Sequence, residues 1–411
     1  MKEITLPIPG DKSISHRAVI FASLSNYKVS FSNFLAGEDC INTIQCFREM
    51  GVAIVQKGSA VTVQGVGLQG LKKPGKALYV GNSGTSIRLL TGILAAQKFD
   101  SEISGDSSIQ TRPMKRIIEP LTLMGAKISG QEREGNIYPS LKIRGGQQLQ
   151  GLSYKMPVAS AQVDSCLRLA GLCAGVDVQI DKQGMQYRDH TEKMLQWFKA
   201  LEQGSLHFTI PSDISSAAFF IVAGLLKPNT KIILENINYN PTRNGIIKVL
   251  QSMGGNITVI KKLFDPQIYL EPVADIIVES SKLRGTLITK ELIPTLIDEI
   301  PIIALAAALA VGTTEILGAE ELRYKESDRL KTIAQGINMS GGKITERPDG
   351  LLIQGVASLW GGSACSTSGD HRIAMMLQIA NLVAKQGITV DDTECIKTSF
   401  PEFGEMLRQI Q

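Results

Sequence analysis

VLQSMGGNI, residues 249–257, runs as a helix to Met253, breaks on a glycine and turns at once into a strand. A glycine accepts the left-handed backbone that ends a helix, and the β-branched residues after it favour an extended chain. The same helix, glycine, strand sequence recurs in CFREMGVAI (46–54), PLTLMGAKI (120–128) and, more loosely, INMSGGKI (337–344). Short apolar segments accompany these motifs: AVTVQGV (60–66), SLKIRG (140–145), KIILENI (231–237) and LLIQGV (351–356). Gly and Pro turns separate them, as expected of short strands.

A second element repeats more often. A small-polar or Gly-rich entry leads into an apolar, Ala-rich helix at Asp11–Leu24, Gly81–Ala96, Ala159–Ala174, Ser212–Leu226, Ile297–Ala310 and Gly369–Ala384. The interval averages about 72 residues, far longer than a solenoid repeat. Each interval holds about two helices and several strands, a βαβαββ-type unit. Six such units, three in each half, predict an α/β protein of two similar domains rather than one large sheet. Helices that are apolar nearly all round, such as IIALAAALA (302–310), are expected at the centre of each domain with the sheets outside.

The 411 residues allow two or three domains, and 43% hydrophobic with 20% charged residues describes an ordinary globular chain. A net charge of +4 is too small to imply a nucleic-acid groove. The longest apolar run, Ile300–Gly312, contains a proline and is shorter than the roughly 20 residues of a membrane helix, so no membrane segment is expected. MKEITLPIPGDKS at the N-terminus has no signal-peptide core, and a cytoplasmic protein is expected. The cysteines (40, 46, 166, 173, 365, 395) form no CxxC pair and the four histidines are scattered. Neither disulfides nor a structural zinc site is therefore expected.

The chemistry gathers at the helix entries, where free amides and the macrodipole favour anions. GDKSISHR (10–17) puts a lysine, hydroxyls and an arginine in one entry turn without P-loop spacing, and GNSGTSIR (81–88) offers a tight glycine turn with exposed amides. GDSSIQTRPM (105–114) delivers Arg112 before a proline, which holds that residue extended. SAQ (160–162) and YRDH (187–190) add neutral and cationic donors. In the second half Asp213 opens one helix, as a cap or as a functional carboxylate, and Asp298 and Glu299 open another. In ELRYKESDR (321–329), read as one helix face, Lys325 and Arg329 lie four apart and repel unless an anion sits between them. Asp370-His371-Arg372 starts the last apolar helix. Together Lys12, Arg17, Arg112, Arg188, Lys325, Arg329 and Arg372, with the carboxylates Asp298 and Glu326, suit a small, multiply anionic substrate pair.

At this point the motifs resemble a known family, the 5-enolpyruvylshikimate-3-phosphate synthases. GDKSISHR, GNSGTSIR, RPM, SAQ, DISSAAFF (213–220), IDEIP (297–301), KESDR (325–329) and DHR (370–372) follow that family's order and spacing over essentially the whole chain. GDK, SAQ, RDHTE (188–192) and NPTR (240–243) are similar to its class II branch, although Asp164 stands where that branch usually has lysine. The resemblance implies two inside-out α/β domains, one of residues 1–10 plus 213–411 and the other of 11–212. The hinges would lie near 10 and 211, with an interdomain active-site cleft.

It also implies transfer of the enolpyruvyl group of phosphoenolpyruvate to the 5-hydroxyl of shikimate 3-phosphate, through a tetrahedral ketal, by a monomer without metal or organic cofactor. Asp298 matches the family's base, while Lys12 and Glu326 match groups that could move the methylene proton. Asn82, Gly84, Thr85, Arg112, Gln162, Lys325, Arg329, His371 and Arg372, with Lys12, match the phosphoenolpyruvate site. Ser13, Arg17, Ser160, Ala161, Gln162, Arg188 and Glu321, with Lys12, Asp298 and Lys325, match the shikimate 3-phosphate site. Lys397 lies near a family lysine. Gly84 favours inhibition by glyphosate; Leu89 and the class II motifs favour tolerance, and partial tolerance is expected.

Overall fold

The computed structural model describes residues 2–200, 206–265 and 268–411. The chain divides into two units. An internal unit takes Lys12–Ile210 together with residues 268–270; a flanking unit takes the chain up to Asp11, then Pro211–Asp265 and Glu271–Gln411.

Both units are built from the motif read in the sequence. At the helix, glycine, strand junctions the glycine has positive φ, from +86° at Gly51 to +101° at Gly125, and the chain leaves in the extended direction. The strand that follows folds back as a hairpin: Ala53–Lys57 on Ala60–Gln64, Lys127–Arg133 on Asn136–Arg144, and Lys343–Arg347 on Gly350–Gln354. Asn256–Lys261 pairs with Val273–Glu279 in the same antiparallel sense.

Each hairpin joins two more strands in a four-stranded sheet of one recurrent order. In the internal unit the sheets run Leu206–Thr209, Lys28–Ser32, Ala60–Gln64, Ala53–Lys57 and Leu78–Tyr79, Ser101–Ser104, Asn136–Arg144, Lys127–Arg133. In the flanking unit they run Lys2–Leu6, Thr230–Asn238, Val273–Glu279, Asn256–Lys261 and Leu287–Ile288, Thr313–Ile316, Gly350–Gln354, Lys343–Arg347. In all four the first pair is parallel and the rest antiparallel. A parallel pair needs a crossover connection, and in the sheet of Leu78–Tyr79 and Ser101–Ser104 an apolar helix supplies it.

Six such helices form the centres of the units: α1 (Lys12–Leu24), α2 (Gly84–Ala95), α3 (Ala161–Ala174), α4 (Ile214–Leu226), α5 (Ile300–Ala308) and α6 (His371–Val383). Every residue of α5 is buried, and every residue of α4 except Leu226. The internal core gathers α1 to α3 and the flanking core α4 to α6. Strands such as Val273–Glu279 alternate buried and half-buried residues, so one face of the sheet packs on these helices. The amphipathic Phe403–Ile410 buries one stripe, Phe403, Met406, Leu407 and Ile410.

The repeat is less uniform than its sequence pattern. Among the described residues the third copy in each unit has no hairpin and keeps a parallel pair, Leu152–Lys155 with Val178–Asp181 and Ala364–Cys365 with Thr389–Val390. The first copy borrows its leading strand: Leu206–Thr209 pairs with Lys28–Ser32, and Lys2–Leu6 with Thr230–Asn238. The two connecting segments lie antiparallel, Asp11 N donating to Pro211 O at 2.7 Å and Asp213 N to Pro9 O at 2.9 Å. The six cysteines are free, and burial pushes the Cys46, Cys166 and Cys173 thiols up to about 12. Among the described residues no helix is long and apolar enough to cross a membrane, and no group of three or more His, Cys, Asp or Glu side chains could hold a metal ion.

Helices α2 and α3 meet backbone to backbone at Gly92, where an added Cβ would lie 2.2 Å from the Cys166 carbonyl oxygen. In an open helix Gly→Ala gains about 1 kcal/mol. Here the backbones must part, and Gly92→Ala is expected to destabilise the protein by about 1–3 kcal/mol, the usual scale of overpacking. Denaturant unfolding checks the sign; a stabilised variant would contradict the close crossing.

Candidate active site

In the internal unit the entries of α1, α2 and α3 are tied together by side chains. The Gln162 carboxamide bridges two of them: its Oε1 accepts from Arg88 Nη1 at 2.8 Å and its Nε2 donates to Thr85 Oγ1 at 3.4 Å. Arg17 spans the third. Its Nη1 donates to the Ser13 carbonyl (2.9 Å), its Nη2 to Ser165 Oγ (2.9 Å) and its Nε to Thr191 Oγ1 (2.7 Å). Ser83 and Ser160 cap α2 and α3, accepting from Ser86 N and Val163 N, with Ala161 the first residue inside α3.

Gly84 lies under two guanidiniums. A Cβ there would come within 2.7 Å of Arg88 Nη1 and 3.0 Å of Arg112 Nη1. Lys12 pairs with Asp39 at 3.1 Å. Beside that pair Glu38, Asp39, Asn42, Gly81, Asn82 and Asp106 line part of a cavity of about 390 Å³. Arg188 sits on the coil leading to the helix His190–Ala200, between Tyr187 and Thr191.

In the flanking unit the charges converge on the entries of α5 and α6. Asp298 lies on the 3-10 turn Ile297–Glu299, with Oδ1 3.5 Å from Lys325 Nζ and 3.3 Å from Arg329 Nη1. Arg329 also pairs with Glu326 at 2.6 Å and with Asp370 at 2.7 Å, and it is 1% exposed. Burial works against its charge, but Asp370, Glu326 and Asp298 outweigh burial and push its pKa above the ordinary arginine value. Arg372 Nη1 donates to the Asp298 carbonyl at 3.1 Å, and Asp370 caps α6 by accepting from Arg372 N. His371 is buried at the first position of α6.

The segment 321–329 is not one helix face. Glu320–Tyr324, which includes Glu321, is a 3-10 turn; Lys325 is extended; and the helix begins at Arg329, with Asp328 as its cap. The anion between Lys325 and Arg329 is therefore the protein's own Asp298. Asp213 does cap α4, accepting from Ser215 N at 2.8 Å. Lys397 lies on another 3-10 turn, Glu394–Thr398, and pairs with Glu394.

A family model described as EPSP synthase (3-phosphoshikimate 1-carboxyvinyltransferase) matches residues 3–407. The chain belongs to the EPSP synthase family. It is 48% identical over 420 residues to the 3-phosphoshikimate 1-carboxyvinyltransferase of Bacillus cytotoxicus, covering 99% of this chain and 97% of the relative. The solved EPSP synthase of Acinetobacter baumannii shares 42% identity and a TM-score of 0.84, over 99% of this chain and 95% of that one. The enolpyruvyl transferase NikO of Streptomyces tendae, 14% identical with a TM-score of 0.75 over 99% and 94% of the two chains, shares the fold.

Several groups in this family member escaped the sequence pattern. Asp39, the partner of Lys12, lies 27 residues away in the first turn of the helix Glu38–Glu49, with no motif of its own. Ser165, which holds Arg17, looks in sequence like an ordinary helix residue, and Thr191, its other partner, lies in RDHTE with no role read from it. Arg243 is 1% exposed, donates to Ser215 Oγ at 2.6 Å and lies 3.6 Å from both Asp11 and Asp213. Burial opposes its charge, yet Asp11, Glu299 and Asp213 raise its pKa. Arg88 and Asp370 were visible as the ends of GNSGTSIR and the start of DHR, but their roles as bridges were not.

His16 anchors the internal cluster from beneath. Its Nδ1 meets Thr43 Oγ1 at 2.7 Å, Thr43 meets Ser86 Oγ at 2.8 Å, and Ser86 donates to Ser83 at 2.8 Å. Burial, with Lys12 and Arg17 nearby, holds the imidazole well below its usual value near 6.5, so it is neutral in the fold. The unfolded chain takes up this proton near pH 6.5 and the folded chain only at lower pH. Stability is thus kept above pH 6.5 and falls below it, by at most about 1.4 kcal/mol per pH unit. His16→Asn should flatten this part of the curve in urea unfolding between pH 7.5 and 5.5. An unchanged slope would contradict the assignment.

Proposed function

We propose that this EPSP synthase family member carries the enolpyruvyl group of phosphoenolpyruvate to the 5-hydroxyl of shikimate 3-phosphate and releases phosphate, with Asp298 as the base. The observation that carries the assignment is Asp298 itself: a carboxylate at the entry of a wholly buried helix, held by Lys325 and Arg329, with Glu326 on the same arginine. The two cations hold this carboxylate in place, and a positioned carboxylate can act as a general base toward a hydroxyl.

As the substrate oxygen bonds to C2 of phosphoenolpyruvate, its proton passes to Asp298 and a proton is delivered to the methylene carbon. Glu326 and Lys12 are the candidates for that delivery. The resulting ketal then loses a methyl proton and phosphate, restoring the double bond. The methyl proton returns to the group that delivered it and the proton held by Asp298 leaves with the phosphate, so the chain's side chains end as they began.

The binding groups divide by charge type. Arg112, Lys325, Arg329, His371 and Arg372, with Lys12, Asn82, Gly84, Thr85 and Gln162, take phosphoenolpyruvate, whose phosphate and carboxylate suit arginine forks. Ser13, Arg17, Ser160, Ala161 through its amide, Gln162, Arg188 and Glu321, with Lys12, Asp298 and Lys325, take shikimate 3-phosphate. Tight ties such as Arg17 to Ser165 and Thr191 support this division by fixing donors before any ligand arrives. The protein acts as a monomer in the cytoplasm, its core built around 1–10 with 213–411 and around 11–212. Glyphosate inhibits it with partial tolerance, Gly84 leaving space beside Arg112 while Leu89 is buried in the core. An inhibition constant in the low micromolar range overturns that tolerance.

Phosphate release from phosphoenolpyruvate should require shikimate 3-phosphate and should not occur with UDP-N-acetylglucosamine. Asp298→Asn should lower kcat by about 10²–10⁴, the usual contribution of a positioned acid or base. Silence from folded wild-type protein, or full activity in the variant, would overturn the assignment. Gly84→Ala tests the anion loop separately. Its Cβ presses only on the ends of the Arg88 and Arg112 side chains, which can give way. The variant should therefore fold normally while KM for phosphoenolpyruvate rises about tenfold, the equivalent of about 1.4 kcal/mol.

A further inference from the structure

The coil before the helix His190–Ala200 carries Arg188 and is tied down on both sides. On one side Tyr187 OH donates to Asp164 Oδ2 at 2.9 Å; on the other, Thr191 Oγ1 accepts from Arg17 Nε at 2.7 Å and meets Ser165 Oγ at 2.6 Å. Asp164 and Ser165 belong to the first turns of α3, the helix whose entry holds Ser160, Ala161 and Gln162. Asp164 is 3% exposed and Tyr187 5%.

The tie at Tyr187 closes on itself. Asp164 Oδ1 accepts from Arg168 Nε at 2.6 Å, Arg168 Nη2 donates to Glu192 Oε1 at 2.8 Å, and Glu192 pairs with Lys182 at 2.7 Å. Lys182 Nζ lies 4.8 Å from the centre of the Tyr187 ring, which donates back to Asp164. Acid and base alternate around this loop, so each charge is neutralised within it. A negative charge in the first turn of a helix that presents anion-binding groups would otherwise repel an anionic ligand. Arg168 cancels that charge, and burial, with Asp164 beside it, raises the Tyr187 pKa so that the phenol stays a donor. A lysine at 164 could neither accept from Tyr187 nor tolerate Arg168 one helical turn away.

We propose that Asp164 is a positioning residue: through Tyr187 it holds the coil of Arg188 against α3 and so sets the affinity for the phosphorylated acceptor substrate. The proposal rests on the function assigned above. Its element of specificity is that Asp164 acts on one substrate and not on the chemistry. Every member of the loop belongs to the internal unit and Asp298 to the flanking one, so turnover should be spared.

The test compares Asp164→Ala, Asp164→Asn, Tyr187→Phe and the double variant Asp164→Ala/Tyr187→Phe by steady-state kinetics, with hydrogen exchange of residues 182–191 beside them. Asp164→Ala and Tyr187→Phe should each raise KM for shikimate 3-phosphate about tenfold, as loss of one hydrogen bond to a charged group implies. Values of kcat and of KM for phosphoenolpyruvate should stay within about twofold. The double variant should be no worse than either single one, and Asp164→Asn, which still accepts from the phenol, should recover much of the loss. Exchange in 182–191 should quicken in both single variants. An unchanged KM for shikimate 3-phosphate overturns the proposal, and so does a joint fall of kcat, both affinities and thermal stability, which marks general support of the fold. If the wild-type protein itself neither binds nor turns over shikimate 3-phosphate, the assigned function fails. The tie is then judged by exchange alone, and unaltered exchange in Tyr187→Phe overturns it.

Discussion

A helix buried on every side can show polar groups only at its ends. That constraint governs this protein. All of α5 and nearly all of α4 are enclosed, so no lateral surface is left for a lysine or carboxylate to occupy. The sheets form the outer wall because something must cover the helices. The N-terminal entries, where the first amides have no helical partners, are where polar chemistry can be placed at least cost. Lys12, Thr85 and Gln162 stand at three entries, and Asp213, Asp298 and His371 stand at the other three.

Charges at such places are partly buried, and a buried charge costs several kcal/mol unless it is paired and hydrogen-bonded. The structure meets that cost by drawing the partners from different repeats. Arg17 of α1 is held by Ser165 of α3 and Thr191 beyond it, and Arg329 joins Asp298 before α5 to Asp370 before α6. Gln162 does the same between the entries of α3 and α2. Each tie satisfies a buried group and at the same time fixes the distance between two entries. Preorganised donors and forks of this kind do not have to be rearranged when an anion arrives, which is where most of their catalytic worth lies.

Local patterns conveyed the repeats, the buried helices and most of the groups that cluster, because each depends on a few adjacent residues. GDKSISHR, GNSGTSIR and DHR do lie at helix entries, and the glycines after Met50 and Met124 do end helices. The errors have physical causes too. KESDR has helical spacing, but Asp328 captures the Lys331 amide and starts the helix late, leaving Lys325 extended. The third repeat has the same helix signature as the others, and among the described residues the lack of a hairpin sets it apart. The leading strand of the first internal repeat follows its helix by nearly the whole unit, a pairing that no local window contains.

What the sequence determined alone is therefore whatever short range settles: helix starts and stops, strand pattern, and the chemical character of each entry. Which charge meets which was decided only by the tertiary structure. Lys12 and Asp39, Arg17 and Thr191, Asp298 and Arg329 lie 27, 174 and 31 residues apart in the chain. Their meeting depends on how whole helices pack, down to a glycine at position 92 that lets two backbones touch. Spacing along a chain encodes which way a side chain faces on its own element, but not which element lies opposite, because that is set by the burial of all the apolar surfaces at once.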